Sequence, residues 1–193
     1  ELLSAAFSLD TKPTSDGCSV YAGLDIGKTV DLSALVVVGV DSRKVARVLK
    51  VETAKRTQQA DIERLAATAF AMGSRRLCVD ATGMGSFPAE SLQRKFGKSK
   101  VEPVVFTMSS KEELATTMGQ HFTEQRIVAA RSESDLRDDV MSIRRLVTAA
   151  GNVRYDAPHT DKGHADRAWA LALALHAASQ PTPARGIIET PLY

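Results

Sequence analysis

Residues 20–53, VYAGLDIGKTVDLSALVVVGVDSRKVARVLKVET, decide the fold. Three runs of β-branched and apolar residues are separated by turn signals at Gly27-Lys28-Thr29 and at Asp41-Ser42-Arg43, the pattern of successive strands. Connections this short join neighbours in an antiparallel meander. Along the first run side chains alternate, so Tyr21, Gly23 and Asp25 share one face while Ala22, Leu24 and Ile26 share the other. Asp25 therefore stands near the end of an otherwise apolar central strand.

Beyond the meander, helices and strands alternate. TQQADIERLAATAFAM (57–72) lines up Ile62, Leu65, Ala66, Ala69 and Phe70 on one side, with Gly73 as a stop, and so predicts a helix. RRLCVDATGMGS (75–86) is a short buried strand running into a glycine-rich turn, and FPAESLQRKFG (87–97) is a helix with proline near its start and glycine at its end. VEPVVFT (101–107) is the next strand. SSKEELATTMGQHFTEQR (109–126) predicts a helix capped by Ser109 or Ser110, with Glu112 and Glu113 in its first turn, and SESDLRDDVMSIRRL (132–146) a further amphipathic helix. RRLVTAAGNVRYDA (144–157) reads as a β-hairpin turning at Gly151-Asn152. The last helix lies within HTDKGHADRAWALALALHAA (159–178). The expected fold is α/β: a mixed sheet, a three-strand antiparallel meander plus parallel strands, with helices on both faces and an extra hairpin.

With 193 residues, 44% of them hydrophobic, the chain can bury one core of ordinary size. Its opening, ELLSAAFSLDTKPTSDG, has no initiator Met and reads as the end of a preceding element followed by a polar connector. Residues 1–18 are thus expected to be a linker from a missing N-terminal domain, 19–179 the folded domain, and 180–193 an extended, proline-rich tail. Lys and Arg number 25 against 23 Asp and Glu, a net of +2, which neither demands nor excludes nucleic acid. Two cysteines, Cys18 in the connector and Cys78 in an apolar run, offer no disulfide framework and suit a reducing compartment. No apolar run approaches the roughly 18 residues of a membrane span.

Three carboxylates stand out by position. Asp25 and Asp80 each end an apolar strand, and Asp166 opens a helix that continues AWALALAL, apolar enough to pack flat on a sheet. Any one of them alone would pass for a cap or turn residue. Brought together, they repel and their affinity for protons rises unless a cation neutralises them. Hard Mg²⁺ is the natural counter-charge, because it prefers carboxylate oxygens and completes its shell with water and substrate phosphate. Two such ions about 4 Å apart can activate water and stabilise the leaving oxygen in phosphodiester cleavage.

GLDIGKTVDLSALVVV, CVDATGMGS and GHADRAWALALA together resemble the C-terminal nuclease domain of the large terminase subunit of tailed bacteriophages, within the RNase H-like superfamily. The resemblance runs from about Val20 to Ala178. It implies a metal-dependent endonuclease that cuts concatemeric double-stranded viral DNA during genome packaging, using Mg²⁺ or Mn²⁺, two ions when DNA is bound, and leaving 3′-hydroxyl and 5′-phosphate ends. It assigns Asp25, Asp80 and Asp166 as the metal-binding catalytic triad, with His164 and Asp31 as accessory residues. It also implies an ATPase domain on the same polypeptide, partnership with a small terminase subunit and a portal protein, and a location in the cytoplasm of the infected bacterium. The chain itself carries no GxxxxGK phosphate loop.

A nuclease must hold phosphates with cations. The candidates are Lys28 beside the first carboxylate, Arg94, Lys95, Lys98 and Lys100 on RKFGKSK, and Arg144, Arg145 and Arg154 flanking the hairpin. Nothing resembles a recognition helix or an aromatic stacking platform, so backbone binding that weakens with salt is expected. Two other interpretations use the same residues. A Holliday-junction resolvase or transposase-like nuclease would share fold and chemistry. LDIGKTVD with DATGMGS also resembles the phosphate turns of actin-like and sugar-kinase-like ATP-binding proteins, but those turns belong to two separate lobes, and here they lie about 55 residues apart in one domain.

Overall fold

The computed structural model describes residues 2–27, 32–83, 86–147, 151, 153–158 and 165–180. The meander is present as β1 (Ser19–Asp25), β2 (Leu32–Val40) and β3 (Ala46–Lys55), antiparallel throughout. After α2 (Gln59–Ala71), strand β4 (Leu77–Asp80) pairs parallel with β1, and after α3 (Ser86–Phe96), β5 (Val101–Val104) pairs parallel with β4. α4 (Met108–Thr123), β6 (Ile127–Val128), α5 (Ser134–Ser142), the hairpin strands β7 (Arg144–Val147) and β8 (Val153–Asp156), and α6 (Asp166–Ser179) complete the chain. The six-stranded sheet has the order β5-β4-β1-β2-β3-β6, and β7-β8 form a separate two-stranded sheet. This is the mixed sheet with a meander and an added hairpin that the strand pattern predicts.

Both faces of the sheet are covered, which is why its central strands are apolar on each side. One layer packs Val20, Ala22, Leu24, Leu35, Val37, Leu77 and Val79 against Leu65 and Ala69 of α2 and Leu92 of α3. The other packs Tyr21, Ala34, Val36, Val38 and Cys78 against α4, α5 and α6. α6 lies between the sheet and the two outer helices, and ten of its 14 residues are buried. A helix enclosed on all sides must be apolar all round, which explains the AWALALAL run; full burial of each of Leu171, Leu173 and Leu175 contributes roughly 1.5–3 kcal/mol.

Several elements differ from the sequence expectation. Leu2–Ala6 forms a short helix, α1, whose Ala6 and following Phe7 are buried, with Phe7 stacked on Phe122 at 6.4 Å, so the stretch 1–18 begins with residues docked on the domain. Strand β6, two residues long, lies in a segment with no strand pattern and is held by pairing with Ala46 and Arg47 of β3. The cap of α4 is Thr107, not Ser109 or Ser110: its hydroxyl accepts from the Ser110 N–H, and Ser110 in return accepts from the Thr107 N–H. α5 stops at Ser142, because Ile143 is already extended and Arg144 opens the hairpin. No helix among the described residues is long and apolar enough to cross a membrane.

Candidate active site

The parallel register pairs Ala22 with Leu77, Gly23 with Cys78 and Leu24 with Val79. One residue further, Asp25 and Asp80 end adjacent strands, whose axes lie about 4.8 Å apart. Alternation assigns Asp25 to the face of Tyr21 and Asp80 to the face of Cys78, both of which lie in the layer with α6. The helix runs antiparallel to β1 on that face. Ala170 and Ala174 lie against Gly23, and Ala178 lines one cleft with Ser19 and Tyr21 at the strand's beginning. Asp166 precedes Ala170 by one turn, about 6 Å, and Asp25 follows Gly23 by about 7 Å. Both offsets point the same way, so the start of α6 lies at the end of the sheet where β1 and β4 finish.

The contact that sets this geometry is tight. A Cβ on Gly23 would lie 2.1 Å from the Ala170 carbonyl oxygen, 2.4 Å from the Ala174 nitrogen and 2.7 Å from Leu173 Cβ. Glycine on the strand and alanine on the helix let the two backbones approach. Asp25 and Asp166 are only 7% and 6% exposed, and Asp80 is half-buried.

Neighbouring groups orient Asp80. Its Oδ1 accepts from the Thr82 N–H at 2.9 Å and from the Thr82 hydroxyl at 2.5 Å, and that hydroxyl accepts from the Phe106 N–H at 2.7 Å. The turn after β4 is thereby tied to the end of β5. Phe106 packs against Trp169 of α6 with ring centres 5.6 Å apart and planes tilted by 53°, and Lys111 Nζ lies 4.5 Å from the Trp169 ring centre. Trp169 is core, as its sequence context predicts.

The first turn of α6 is pinned from outside. Its cap residue, Ala165, sits in the left-handed region at φ 62° and has no side-chain acceptor. Asp139 of α5 takes that role: its Oδ2 accepts from the Arg167 N–H at 3.1 Å and lies 3.3 Å from Arg167 Nη1, while Asp135 lies 3.5 Å from Nη2. Burial raises the Asp139 carboxyl above its usual range, against the opposing pull of Arg167.

The predicted cations separate into two groups. Arg94, Lys95, Lys98 and Lys100 lie at the far end of the sheet: the Lys100 carbonyl accepts from Leu77, the first residue of β4, and Asp80 is the last. Lys95 is paired with Glu63 at 2.6 Å, and Arg94 faces Glu90 at 3.9 Å. The structure does not bring these four to the carboxylates. Arg144 and Arg145 are exposed on β7, and Arg154 on β8 pairs with Asp156. Burial pushes the Asp156 carboxyl up, but Arg154, the Ala157 N–H and the nearby charge of Lys111 together hold it below its usual range. The hairpin base is therefore next to Lys111 and, through it, next to the start of α6. Lys28, Asp31 and His164 lie outside the described residues.

Sequence reasoning missed Thr82, Lys111, Asp135 and Asp139. Arg167 is a charge on an otherwise apolar helix whose partners sit 28 and 32 residues away in sequence.

A second cluster fastens the other end of α6. Ligating atoms of Cys78, Glu102 and His176 lie within 4.8 Å of one another. Glu102 faces His176 at 3.6 Å and Arg76 at 3.5 Å, so the guanidinium supplies its counter-charge. Burial, reinforced by Glu102, pushes the Cys78 thiol up. A protonated thiol beside an arginine-paired carboxylate is a satisfied polar contact between α6 and the β4–β5 pair.

The architecture has solved counterparts. The large terminase nuclease from thermophilic phage G20c with bound magnesium is similar at TM-score 0.73 and 22% identity, over 91% of this chain and 95% of that one. A mutant nuclease domain of the large terminase subunit of bacterial virus Sf6, with manganese and beta-thujaplicinol, is similar at TM-score 0.67 and 13% identity, over 91% and 96%. The bacteriophage HK97 large terminase gives TM-score 0.68 and 14% identity, over 91% of this chain and 42% of that one. No curated protein sequence matches. Matched over residues 22–178, from the middle of β1 through both strand ends to the last turn of α6, the chain belongs to the terminase RNaseH-like domain family.

Proposed function

We propose that this chain is a metal-dependent endonuclease that cuts double-stranded viral DNA during genome packaging, with Asp25, Asp80 and Asp166 as the metal ligands. The observation that carries this reading is the parallel β1–β4 register, which ends both strands in aspartate on the face covered by α6, with Asp166 opening that helix. Three hard oxygen donors at one end of a sheet suit Mg²⁺ or Mn²⁺, and two ions when substrate phosphate completes their shells. The similar structures from G20c and Sf6 hold magnesium and manganese. A divalent ion held by these carboxylates would supply Lewis acidity toward the phosphodiester and lower the pKa of a bound water. The chain's own part is to hold the carboxylates in fixed directions: Thr82 turns Asp80, and the packing of α6 on Gly23 delivers Asp166. Lys111 and the hairpin residues Arg144, Arg145 and Arg154 would be the cations that meet the DNA backbone. His164 and Asp31 keep the accessory roles the family resemblance gives them, and Lys28 that of a cation for the DNA backbone.

The partners belong to the same proposal. The chain would act beside an ATPase domain of its own polypeptide, with a small terminase subunit and a portal protein, in the cytoplasm of the infected bacterium.

The test is cleavage of supercoiled plasmid by the purified chain in Mg²⁺, Mn²⁺ or EDTA. Nicking and linearisation with either metal, and none in EDTA, are expected. A folded chain that cuts nothing with any metal would overturn the proposal, and cutting confined to four-way junctions would replace it with a resolvase.

Thr82→Val, which keeps the shape and loses the hydroxyl, should lower metal-dependent cleavage about tenfold, the scale of an outer-shell partner. A metal titration of the initial rate checks this, with half-activation moving to higher Mg²⁺. An unchanged titration would show that the turn backbone alone orients Asp80.

A further inference from the structure

We infer that Asp139 is a positioning residue, which caps the first turn of α6 from the neighbouring helix and thereby fixes the direction in which Asp166 presents its carboxylate to the metal. This rests on the proposed role of Asp166 as a metal ligand.

A helix start leaves its first N–H groups without intrahelical partners, and the usual remedy is an oxygen on the cap residue itself. Here the cap position is Ala165, 3% exposed, with a methyl group that accepts nothing. Asp139 supplies the oxygen, 28 residues earlier in sequence, by accepting from the Arg167 N–H at 3.1 Å. The same oxygen lies 3.3 Å from the Arg167 guanidinium, and Asp135, one turn back on α5, holds the other guanidinium nitrogen at 3.5 Å. Residue 167 is thus fixed at backbone and side chain together, its side chain only 12% exposed and that of Asp139 only 13%. Asp166 lies between this pinned residue and Ala165, whose φ of 62° is one that L-residues seldom adopt. With the peptides on both sides held, the direction of its Cα–Cβ bond is determined. Asp139 is paired with Arg167, which it shares with Asp135.

A merely structural cap would stabilise α6 and leave metal affinity alone. The deciding measurement is calorimetric titration of Mn²⁺ into the chain without DNA, beside thermal denaturation of each variant. Asp139→Ala should weaken Mn²⁺ binding about tenfold. Asp139→Asn, whose amide oxygen still accepts from the Arg167 N–H, should stay within about threefold of the parent. Asp135→Ala, which loses one ion pair but no cap, should melt slightly lower and bind Mn²⁺ normally. If Asp139→Ala binds Mn²⁺ like the parent while Asp166→Asn does not, the positioning role is overturned and the site stands. If Asp166→Asn also binds like the parent, the assignment of Asp166 fails, and this inference with it. Should Asp139→Ala not fold, Asp139→Glu decides: it keeps the charge but displaces the acceptor, so weakened binding supports the inference and unchanged affinity overturns it.

Discussion

Asp166→Asn is expected to abolish metal-dependent cleavage, by about a thousandfold or more, beyond the ten- to hundredfold typical of an outer-shell partner. The substitution keeps the shape of a residue that is 6% exposed and opens α6. What it removes, on the proposed assignment, is one of the three carboxylates at the end of the sheet, and with it a hard donor for the cation. Asparagine keeps the size of the side chain and its capacity to hydrogen-bond, so the melting of the metal-free domain should stay within about 1 kcal/mol of the parent. Plasmid cleavage and thermal denaturation, run side by side, separate the two effects. A variant that cuts at the parental rate would remove α6 from the chemistry and leave it a purely structural helix.

Gly23→Ala is expected to be the most damaging change of a single methyl group. The new carbon would meet two backbone atoms of α6 at 2.1 and 2.4 Å, and backbone cannot swing aside as a side chain can. The helix must lift from the sheet, at the 1–3 kcal/mol typical of overpacking or more. A lift of about 1 Å at Asp166 should also cost on the order of a hundredfold in cleavage. Gly119→Ala is the natural control. Gly119 sits in α4 with nothing within 4 Å of its would-be Cβ, so the same methyl should stabilise the helix by roughly 0.5–1 kcal/mol. If both variants melted alike, the close approach of α6 to β1 would not be what holds the helix in place.

Much of this arrangement is legible in the chain. Alternation along VYAGLDIG assigns Asp25 to one face, the parity of LCVD assigns Asp80, and the unbroken apolar run of α6 marks an enclosed helix. These signals are local, and they survive because a buried strand or helix constrains every residue it contains. The features that escaped are those set by partners distant in sequence. β6 is two residues long and exists because β3 offers it an edge. α1 is too short to be stable alone and is held by the packing of Phe7 on Phe122. The Asp139 cap cannot be read from HADRAW, because the residue in the cap position is an alanine. Charge was the least informative signal: RKFGKSK reads as a phosphate-binding run, yet the turn before β5 carries it to the end of the sheet opposite Asp80.

The enclosure of α6 also governs how the domain comes apart. Ten buried residues tie this helix to the central strands and to both outer helices, so it cannot open as a separate unit at the low free energy available to loops and frayed ends. Asp166 is carried by that helix, while Asp25 and Asp80 stand on the strands beneath it. The three carboxylates consequently belong to one cooperative block, and thermal fluctuations that fall short of global unfolding leave them in register.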